Sequence, residues 1–181
     1  MKNLVKGLEM DASNHQVIEV TNPATNEFLD TVPNSTEEDV DIAVRKAVEA
    51  QKEWAQVPLY ERGHILEKFI DLVERDKESL AITLCKETGK PIKEARGEIA
   101  NTKIFVSAYV EKAKHLYGIN IPRGNEPGHE NDVQFTIRQP LGVVACIIPF
   151  NFPCDLFGQK VPSALIMGNA VIVKPDRKSV V

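Results

Sequence analysis

Three polar side chains follow two short apolar runs near the end of this 181-residue chain: Asn151, Lys174 and Arg177. Asn151 comes after the run at 143–148, and the two basic residues come after the run at 170–173. Asparagine offers an amide donor, and the other two offer cations. In open parallel sheets, ligands bind beyond the carboxyl ends of the strands. If the two runs are neighbouring parallel strands, these groups therefore meet at one ligand site.

The segments around these residues have the pattern of one βαβ unit. The run at 143–148 shows no polar alternation, which is typical of a strand buried on both faces. After two prolines, a helix is predicted over about 154–167, and Gly168 is placed to close it in a left-handed conformation. The run at 170–173 is then a second buried strand. This spacing predicts parallel strands joined by a right-handed crossover.

A long motif includes these positions. It reads P-x-G-V-V-x-x-I-x-P-(W/F)-N-(F/Y)-P, then a helix with an internal Lys and P-(A/S)-(A/L), then G-N-x-(V/I)-(V/I)-x-K-P. The residues that fit it are Pro140, Gly142, Val143, Val144, Ile147, Pro149, Phe150, Asn151, Phe152, Pro153, Lys160, Pro162, Ala164, Leu165, Gly168, Asn169, Lys174 and Pro175. This block resembles the aldehyde dehydrogenase superfamily, as do the shorter tracts 22–25 and 87–91.

The resemblance implies an α/β fold, with an N-terminal helical layer followed by the first βαβ unit of a doubly wound, Rossmann-like parallel sheet. It divides the chain into a helix-rich part of the cofactor-binding domain at 1–132, an oligomerisation strand at 133–140 and an incomplete first βαβ unit at 141–181. It also implies a small aldehyde as substrate, NAD or NADP as cofactor, and a homo-oligomer.

Asn151 is implied to be catalytic. The family's amide at this position points at the substrate carbonyl and helps to hold the oxyanion that forms after thiolate attack. A fixed N–H donor aimed at developing negative charge lowers a barrier by roughly 3 kcal/mol. Considered outside the motif, an asparagine in a turn more often serves the local backbone.

The cofactor site is implied to include Lys174, whose counterpart hydrogen-bonds the adenosine ribose. Without the motif, a solvated lysine at a strand end is the plainer interpretation. The resemblance also implies that five residues line the wall of the site beside the nicotinamide. A position in the core of the sheet is the structural interpretation of these residues, and it is compatible with that role. These wall residues are Ile147, Ile148, Pro149, Phe150 and Asn151.

The residues after Pro175 depart from the family pattern. Many members carry a glutamate that accepts from the ribose 2′-hydroxyl, but here Asp176 is followed by Arg177. A guanidinium can bind a 2′-phosphate, whereas a carboxylate repels one. We therefore hypothesise that NADP is tolerated or preferred over NAD. Asp176 is the alternative ribose partner, which would favour NAD.

The family's cysteine nucleophile and glutamate base lie downstream of the matched block. None of Cys85, Cys146 and Cys154 aligns with that nucleophile, so we expect no aldehyde oxidation by these 181 residues alone. The whole enzyme would oxidise an aldehyde to a carboxylic acid. Two alternatives remain open: a non-catalytic binding or assembly module, and a remnant without function.

The first 116 residues predict two short strands and then helices. The predicted features are strands at 16–20 and 27–32, a capping box from Ser35 to Glu38 that opens a helix, a second helix from Pro58, a third capped by Asp76 and ended by Gly89, and a fourth from Pro91 to about Leu116. Residues 118–132 read as a loop. Residues 133–139 alternate strictly, which predicts a half-buried strand; in the family this strand protrudes for oligomerisation, and an edge strand is the alternative.

Composition is that of an ordinary globular protein, with 43% hydrophobic and 27% charged residues. The net charge of -4 argues against a nucleic-acid or anionic-membrane surface. No apolar run reaches the roughly 18 residues of a spanning helix, and no signal peptide is evident. Three apolar cysteines read as free thiols in a reducing cytoplasm. The four histidines lack metal-ligand spacing, so no metal is expected.

Overall fold

Two antiparallel hairpins begin the chain in the computed structural model, which describes residues 1–176. Strands β1 (Asn3–Val5) and β2 (Leu8–Met10) form the first hairpin, in a region for which the sequence offered no clear pattern. Strands β3 (Val17–Thr21) and β4 (Phe28–Pro33) form the second and confirm the two predicted strands.

Helix α1 (Glu37–Trp54) begins at a capping box that lies one residue later than predicted. Thr36 Oγ1 accepts from the Asp39 amide at 3.3 Å, and Asp39 Oδ2 accepts from the Thr36 amide at 2.8 Å. The predicted cap, Ser35, instead accepts a hydrogen bond from Asn3 Nδ2 at 2.7 Å. The prediction was wrong because both registers carry cap-type residues, and a tertiary contact engages the first of them.

Helix α2 (Leu59–Thr88) is one continuous helix of 30 residues where two were predicted. Asp76 does not cap a new helix; its carboxylate accepts two bonds from the neighbouring Arg75 guanidinium at 2.7 and 2.9 Å. No glycine or proline occurs between Gly63 and Gly89, so helix propagation prevails over a single cap-type residue. Gly89 ends the helix with a left-handed φ of 73°, as predicted.

Helix α3 (Ile92–Ala113) follows Pro91, and it ends three residues before the predicted Leu116. Its inward face carries an apolar stripe that includes Ala95, Ile99 and Val106, and one acidic side chain, Glu98, is buried within that stripe. No helix among residues 1–176 is both long enough and apolar enough to cross a membrane.

The predicted βαβ unit is confirmed. Strand β5 (Asn120–Ile121), strand β6 (Gln134–Phe135), strand β7 (Val143–Ile148), helix α4 (Pro153–Ile166) and strand β8 (Ala170–Pro175) complete the described chain. Strands β7 and β8 pair in parallel, and α4 connects them. Gly168 takes the predicted left-handed conformation, with φ 84°.

Helix α4 covers one face of the β7–β8 sheet, and α1 also lies against both strands. Cys146 and Ile148 are buried under α4 in a cluster with Val161, whereas Ile147 is 63% exposed on the other face. The prediction that these strands are buried on both faces therefore fails at Ala145 and Ile147, whose side chains stay exposed among residues 1–176.

The helical layer and the βαβ unit share their core. Cys154, at the start of α4, belongs to one buried cluster with Leu84 of α2 and Ile99 of α3. Ile166, at the end of α4, belongs to a second cluster with Val106. This is the predicted α/β architecture, a helical layer packed on the first βαβ unit. Helix α4 is thus fixed by the helices that precede it in the chain.

The segment 133–139 differs from its prediction. Only β6 within it is a strand, and it pairs with β5 in an isolated antiparallel sheet of two strands. Val133, Phe135 and Ile137 are exposed, so the half-buried strand that the alternation predicts is wrong for the described residues. The reason is the same as for Ile147: nothing among residues 1–176 covers this apolar row.

Candidate functional site

The ends of β7 and β8 lie side by side at one edge of the sheet, which we call the strand edge. In the parallel register, Ile147 stands opposite Lys174. The amide of Asp176 donates to the carbonyl of Ile148 at 2.8 Å, which ties the chain after β8 to the end of β7. Predicted site residues from both strands are therefore brought to the same edge. Arg177 lies outside the described residues.

The Asn151 turn, residues 149–152, leaves the strand edge and leads into α4. Phe150, Asn151 and Phe152 are exposed, while Pro149 is half-buried. Among residues 1–176, no hydrogen bond engages the side-chain amide of Asn151. The amide is thus available as a donor to a bound molecule rather than serving the local backbone.

Lys174 is exposed at the strand edge. Its ammonium donates one hydrogen bond, to the carbonyl of Pro175 at 3.2 Å. An ammonium has three donor hydrogens, so two remain for a ligand. Cation, amide and two apolar ring faces at one open edge fit a polar ligand that also carries flat rings.

Sequence reasoning missed the residue that holds the Asn151 turn. Lys90 lies between α2 and α3, and its ammonium donates to the carbonyl of Asn151 at 3.0 Å. The same ammonium lies 4.5 Å from the ring centroid of Phe152, within the range of a cation–π contact. Its side chain is only 11% exposed, and it forms an ion pair with Glu98.

Glu98 supplies the cap that α4 lacks. Phe152 at the cap position has no side-chain acceptor, and Pro153 has no amide hydrogen. Glu98 Oε1 accepts from the amides of Cys154 and Asp155 at 2.8 and 3.3 Å. A carboxylate at a helix N-terminus also interacts favourably with the helix dipole. The available sequence signal was an acidic residue on the apolar stripe of α3.

Helices α3 and α4 pack closely, which places Glu98 of α3 within hydrogen-bonding distance of the first amides of α4. Gly158 faces Thr102, and a Cβ atom at Gly158 would lie 3.2 Å from Thr102 Cγ2 and 3.3 Å from its Cα. A larger residue would push α4 away from α3, and with it the amides that Glu98 binds.

Side chains from the helical layer also hold the C-terminal end of α4. Each donates to a main-chain carbonyl in the last turn or just after it. The pairs are Gln51 Nε2 to Gly168 at 3.1 Å, Trp54 Nε1 to Leu165 at 2.8 Å and Arg62 Nε to Ile166 at 2.9 Å. Both ends of α4 are therefore fixed by polar contacts that originate far away in the sequence.

Lys160 has the structural role that its position in the crossover helix predicts. Its ammonium donates to the carbonyl of Ile147 at 2.7 Å, at the end of β7. The contact fixes the peptide next to the strand edge.

The cysteines nearest the strand edge are not activated. Burial, and after it the negative charge of Glu98, raise the pKa of Cys154 to about 12. Burial likewise raises the pKa of Cys146. Both thiols stay protonated near neutral pH, and a thiol is a far weaker nucleophile than a thiolate. Residues 1–176 contain no group of three His, Cys, Asp or Glu side chains that could hold a metal ion.

Comparison with known proteins identifies relatives along almost the whole chain. The sequence model of the aldehyde dehydrogenase family matches residues 10–181. Glutarate-semialdehyde dehydrogenase of Pseudomonas putida is 37% identical over 172 residues, which are 94% of this chain and 35% of that protein.

Solved structures agree. NADP-dependent glyceraldehyde-3-phosphate dehydrogenase from Bacillus halodurans, complexed with NADP, matches with a TM-score of 0.92 and 32% identity over 97% of this chain and 37% of that one. PnpE in complex with nicotinamide adenine dinucleotide matches with a TM-score of 0.89 and 31% identity, over 97% of this chain and 36% of that one. The chain spans about a third of the length of these relatives. With a family match over residues 10–181, the chain belongs to the aldehyde dehydrogenase family.

Proposed function

We propose that this chain is the first part of an NAD(P)-dependent aldehyde dehydrogenase that oxidises an aldehyde to a carboxylic acid. The observation that carries the proposal is the parallel register of β7 and β8, which sets Ile147 opposite Lys174 and leaves the Asn151 turn at the same edge. Residues 1–132 form the helical part of the cofactor domain, 133–140 the oligomerisation strand and 141–181 the start of the dinucleotide sheet.

Asn151 is proposed as the oxyanion donor. Its side-chain amide takes part in no hydrogen bond among residues 1–176, so it can donate to a substrate oxygen without first breaking another contact. When a nucleophile adds to the aldehyde carbonyl, negative charge gathers on that oxygen, and a fixed donor stabilises it. The nucleophile is not one of the two buried cysteines near the edge, because their raised pKa values keep them protonated.

The cofactor is proposed to lie along the strand edge and to accept hydride from the substrate. The exposed ammonium of Lys174 has donors to spare for ribose hydroxyls. Beside it, apolar side chains and backbone offer a flat wall to the nicotinamide half. The proposed wall consists of Ile147, Ile148, Pro149, Phe150 and Asn151.

Asp176 and Arg177 are proposed to decide between NAD and NADP. The relatives named above include structures with either cofactor, so the family does not decide for this chain. A guanidinium at 177 favours a 2′-phosphate, and a carboxylate at 176 opposes it. Competitive titration of the chain with NADH and NADPH separates the two. Tighter binding of NADPH supports a role for Arg177, and clear preference for NADH contradicts it.

Cofactor binding and turnover test the proposal directly. We expect Lys174→Met to weaken NADPH binding to the chain about tenfold, since a charged hydrogen bond is lost. The matched control is Lys112→Met, an exposed lysine on α3 that should leave binding unchanged. We expect no aldehyde oxidation by the 181 residues alone. Measurable turnover, or NADPH binding that ignores Lys174, would contradict the proposal.

A second candidate is an assembly module that acts through the segment 133–139. The exposed apolar row of Val133, Phe135 and Ile137 favours self-association, because single surface apolar residues are common but a row of them marks a contact. An assembly module should be oligomeric in size-exclusion chromatography and should ignore dinucleotide. The proposed dehydrogenase part binds dinucleotide and also forms a homo-oligomer.

The three free cysteines favour a cytoplasmic protein.

A further inference from the structure

The Asn151 turn leads into α4, and its own residues do not cap the N-terminus of that helix. It must pass from a strand end into a helix whose first turn has no cap of its own, because Phe152 offers no acceptor and Pro153 no donor. Unsatisfied amides at a helix start cost free energy and leave the start free to fray. A side chain meant to meet a reacting atom needs a backbone that stays in place.

Two charged side chains from outside the βαβ unit bind this turn and the start of α4. Lys90 binds the carbonyl of Asn151 itself, at 3.0 Å, and covers the ring of Phe152. Glu98 binds the amides of Cys154 and Asp155, just past the turn. The two side chains also pair with each other, so one ion pair holds the end of the turn and the first turn of α4.

The burial of this unit is what sets it apart from the other ion pairs of the described chain. The side chains of Lys90 and Glu98 are 11% and 1% exposed, whereas every other ion pair among residues 1–176 has at least one partner more than 40% exposed. Replacing a buried pair by apolar residues of similar volume is often neutral or stabilising. A pair that served stability alone would have no reason to direct its remaining hydrogen bonds at one turn.

We propose that Lys90 and Glu98 are positioning residues that fix the backbone around Asn151, so that its side-chain amide is presented at the strand edge in one orientation. The proposal rests on the proposed function, in which that amide holds the oxyanion. Lys90 acts on the peptide that follows Asn151. Glu98 acts on the first turn of α4 and supplies the charge that keeps the Lys90 ammonium in place.

The experiment measures order at Asn151 in the full 181-residue chain by nitrogen NMR, without cofactor. In Lys90→Met, we expect the heteronuclear NOE of the backbone amides of Asn151 and Phe152 to fall, because the carbonyl between them loses its donor. In Lys90→Arg, which keeps a cation for the carbonyl and for the ring, we expect it to be restored. Lys86→Met, at the exposed end of α2, is the matched control and should change nothing.

Glu98 is tested through the amides that it binds. In Glu98→Ala, we expect hydrogen exchange at Cys154 and Asp155 to become about tenfold faster, because hydrogen bonds to a carboxylate are lost. If Glu98→Ala does not fold, Glu98→Gln replaces it. The glutamine keeps an oxygen acceptor for the two amides but no charge for Lys90, so exchange should stay slow while the backbone at Asn151 gains motion.

A purely stabilising pair would give a different pattern. Lys90→Met would then lower the thermal unfolding midpoint without selective motion at Asn151, or Lys90→Arg would fail to restore the NOE; either result overturns the proposal. Lys174→Met separates this inference from the proposed function, since it should weaken NADPH binding and leave Asn151 ordered. Order that depends on Lys90 in a chain that ignores NADPH would support the positioning role and overturn the proposed function alone.

Discussion

The Asn151 turn and the segment 133–139 both lie at the surface and both expose apolar side chains. Phe150 and Phe152 are 49% and 46% exposed, and Phe135 and Ile137 are 68% and 67% exposed. The two regions differ in what holds the backbone. Buried charged groups reach the turn from another part of the chain, whereas the described hydrogen bonds of the segment run to β5, a strand of two residues, and to Ile119 just before it.

The difference teaches that exposure and order are separate properties. A turn can present its side chains to a ligand and still be fixed, provided that its carbonyls and amides are bound from beneath. An apolar strand without such contacts depends on a partner to cover it. The first arrangement suits a site that must be formed before its ligand arrives, and the second suits a surface that is completed on association.

The largest expected effect concerns the core beneath the turn. Leu84 is fully buried in the cluster that contains Cys154, the second residue of α4. We expect Leu84→Ala to lower the free energy of unfolding by about 3 kcal/mol, because it removes buried methyl groups and leaves a cavity. Phe135→Ala, in the exposed segment, should cost less than about 0.5 kcal/mol. Urea unfolding of the two variants provides the comparison, and equal costs would show that the regions do not differ as described.

The next effect concerns the far end of α4. The Arg62 guanidinium donates to the carbonyl of Ile166 at 2.9 Å and to that of Val57 at 2.6 Å, and burial lowers its pKa. We expect Arg62→Met to cost about 2 kcal/mol, since hydrogen bonds from a charged donor are lost and a helix end is left without partners. Arg45→Met, on the exposed face of α1, is the control and should be nearly neutral. A neutral Arg62→Met would mean that α4 is held by its apolar contacts alone.

The parallel strands, their connecting helix and the start of the site could be predicted from the sequence, because those signals are local. Apolar runs, paired prolines and Gly168 each act on neighbouring residues. The motif added Asn151 and Lys174 as candidates. Their placement at one edge then followed from the parallel topology, which a short βαβ spacing imposes.

The supporting residues could not be predicted in the same way, because their partners are distant in the sequence. Lys90 binds a carbonyl 61 residues away, and Glu98 binds an amide 56 residues away. A buried glutamate on an apolar stripe indicates that some partner exists but does not say which one. The errors at Ser35 and Asp76 have a related cause: a local cap signal is weak, and tertiary contacts or an uninterrupted helix outweigh it.

The remaining errors concern the predicted burial of two strands. The runs at 143–148 and 133–139 were both expected to be buried more fully than the described residues bury them. Hydrophobic pattern reports the environment for which a strand is suited. It does not report which element supplies that environment, and among residues 1–176 none covers Ile147 or the exposed segment.

The smallest expected effect concerns an exposed ion pair, which serves as the counterpart of the buried one. Glu74 on α2 accepts from Lys77 at 2.6 Å and also pairs with Lys103 of α3. The hydrogen bond from Lys103, followed by that from Lys77, lowers the pKa of Glu74 from 4.5 to about 2. A carboxyl group whose pKa is lower in the folded than in the unfolded chain stabilises the folded state at pH values above its unfolded pKa. This contribution is lost as the pH falls from about 4.5 towards 2.

We therefore expect Glu74→Gln to be slightly less stable than the parent chain above pH 5, with the difference shrinking through pH 4 and vanishing near the folded pKa of about 2. Because the pair is exposed, the difference should also fall in about 1 M NaCl, where charges are screened within a few ångströms. Urea unfolding at each pH measures this stability difference, with Glu53→Gln on α1 as the exposed control.

The stabilisation by the buried pair of Lys90 and Glu98 should not fall in the same salt, since solvent ions cannot enter between the two side chains. Equal salt sensitivity of Glu74→Gln and Glu98→Gln would mean that water reaches the contact beneath the Asn151 turn, and the distinction between the two surface regions would then fail.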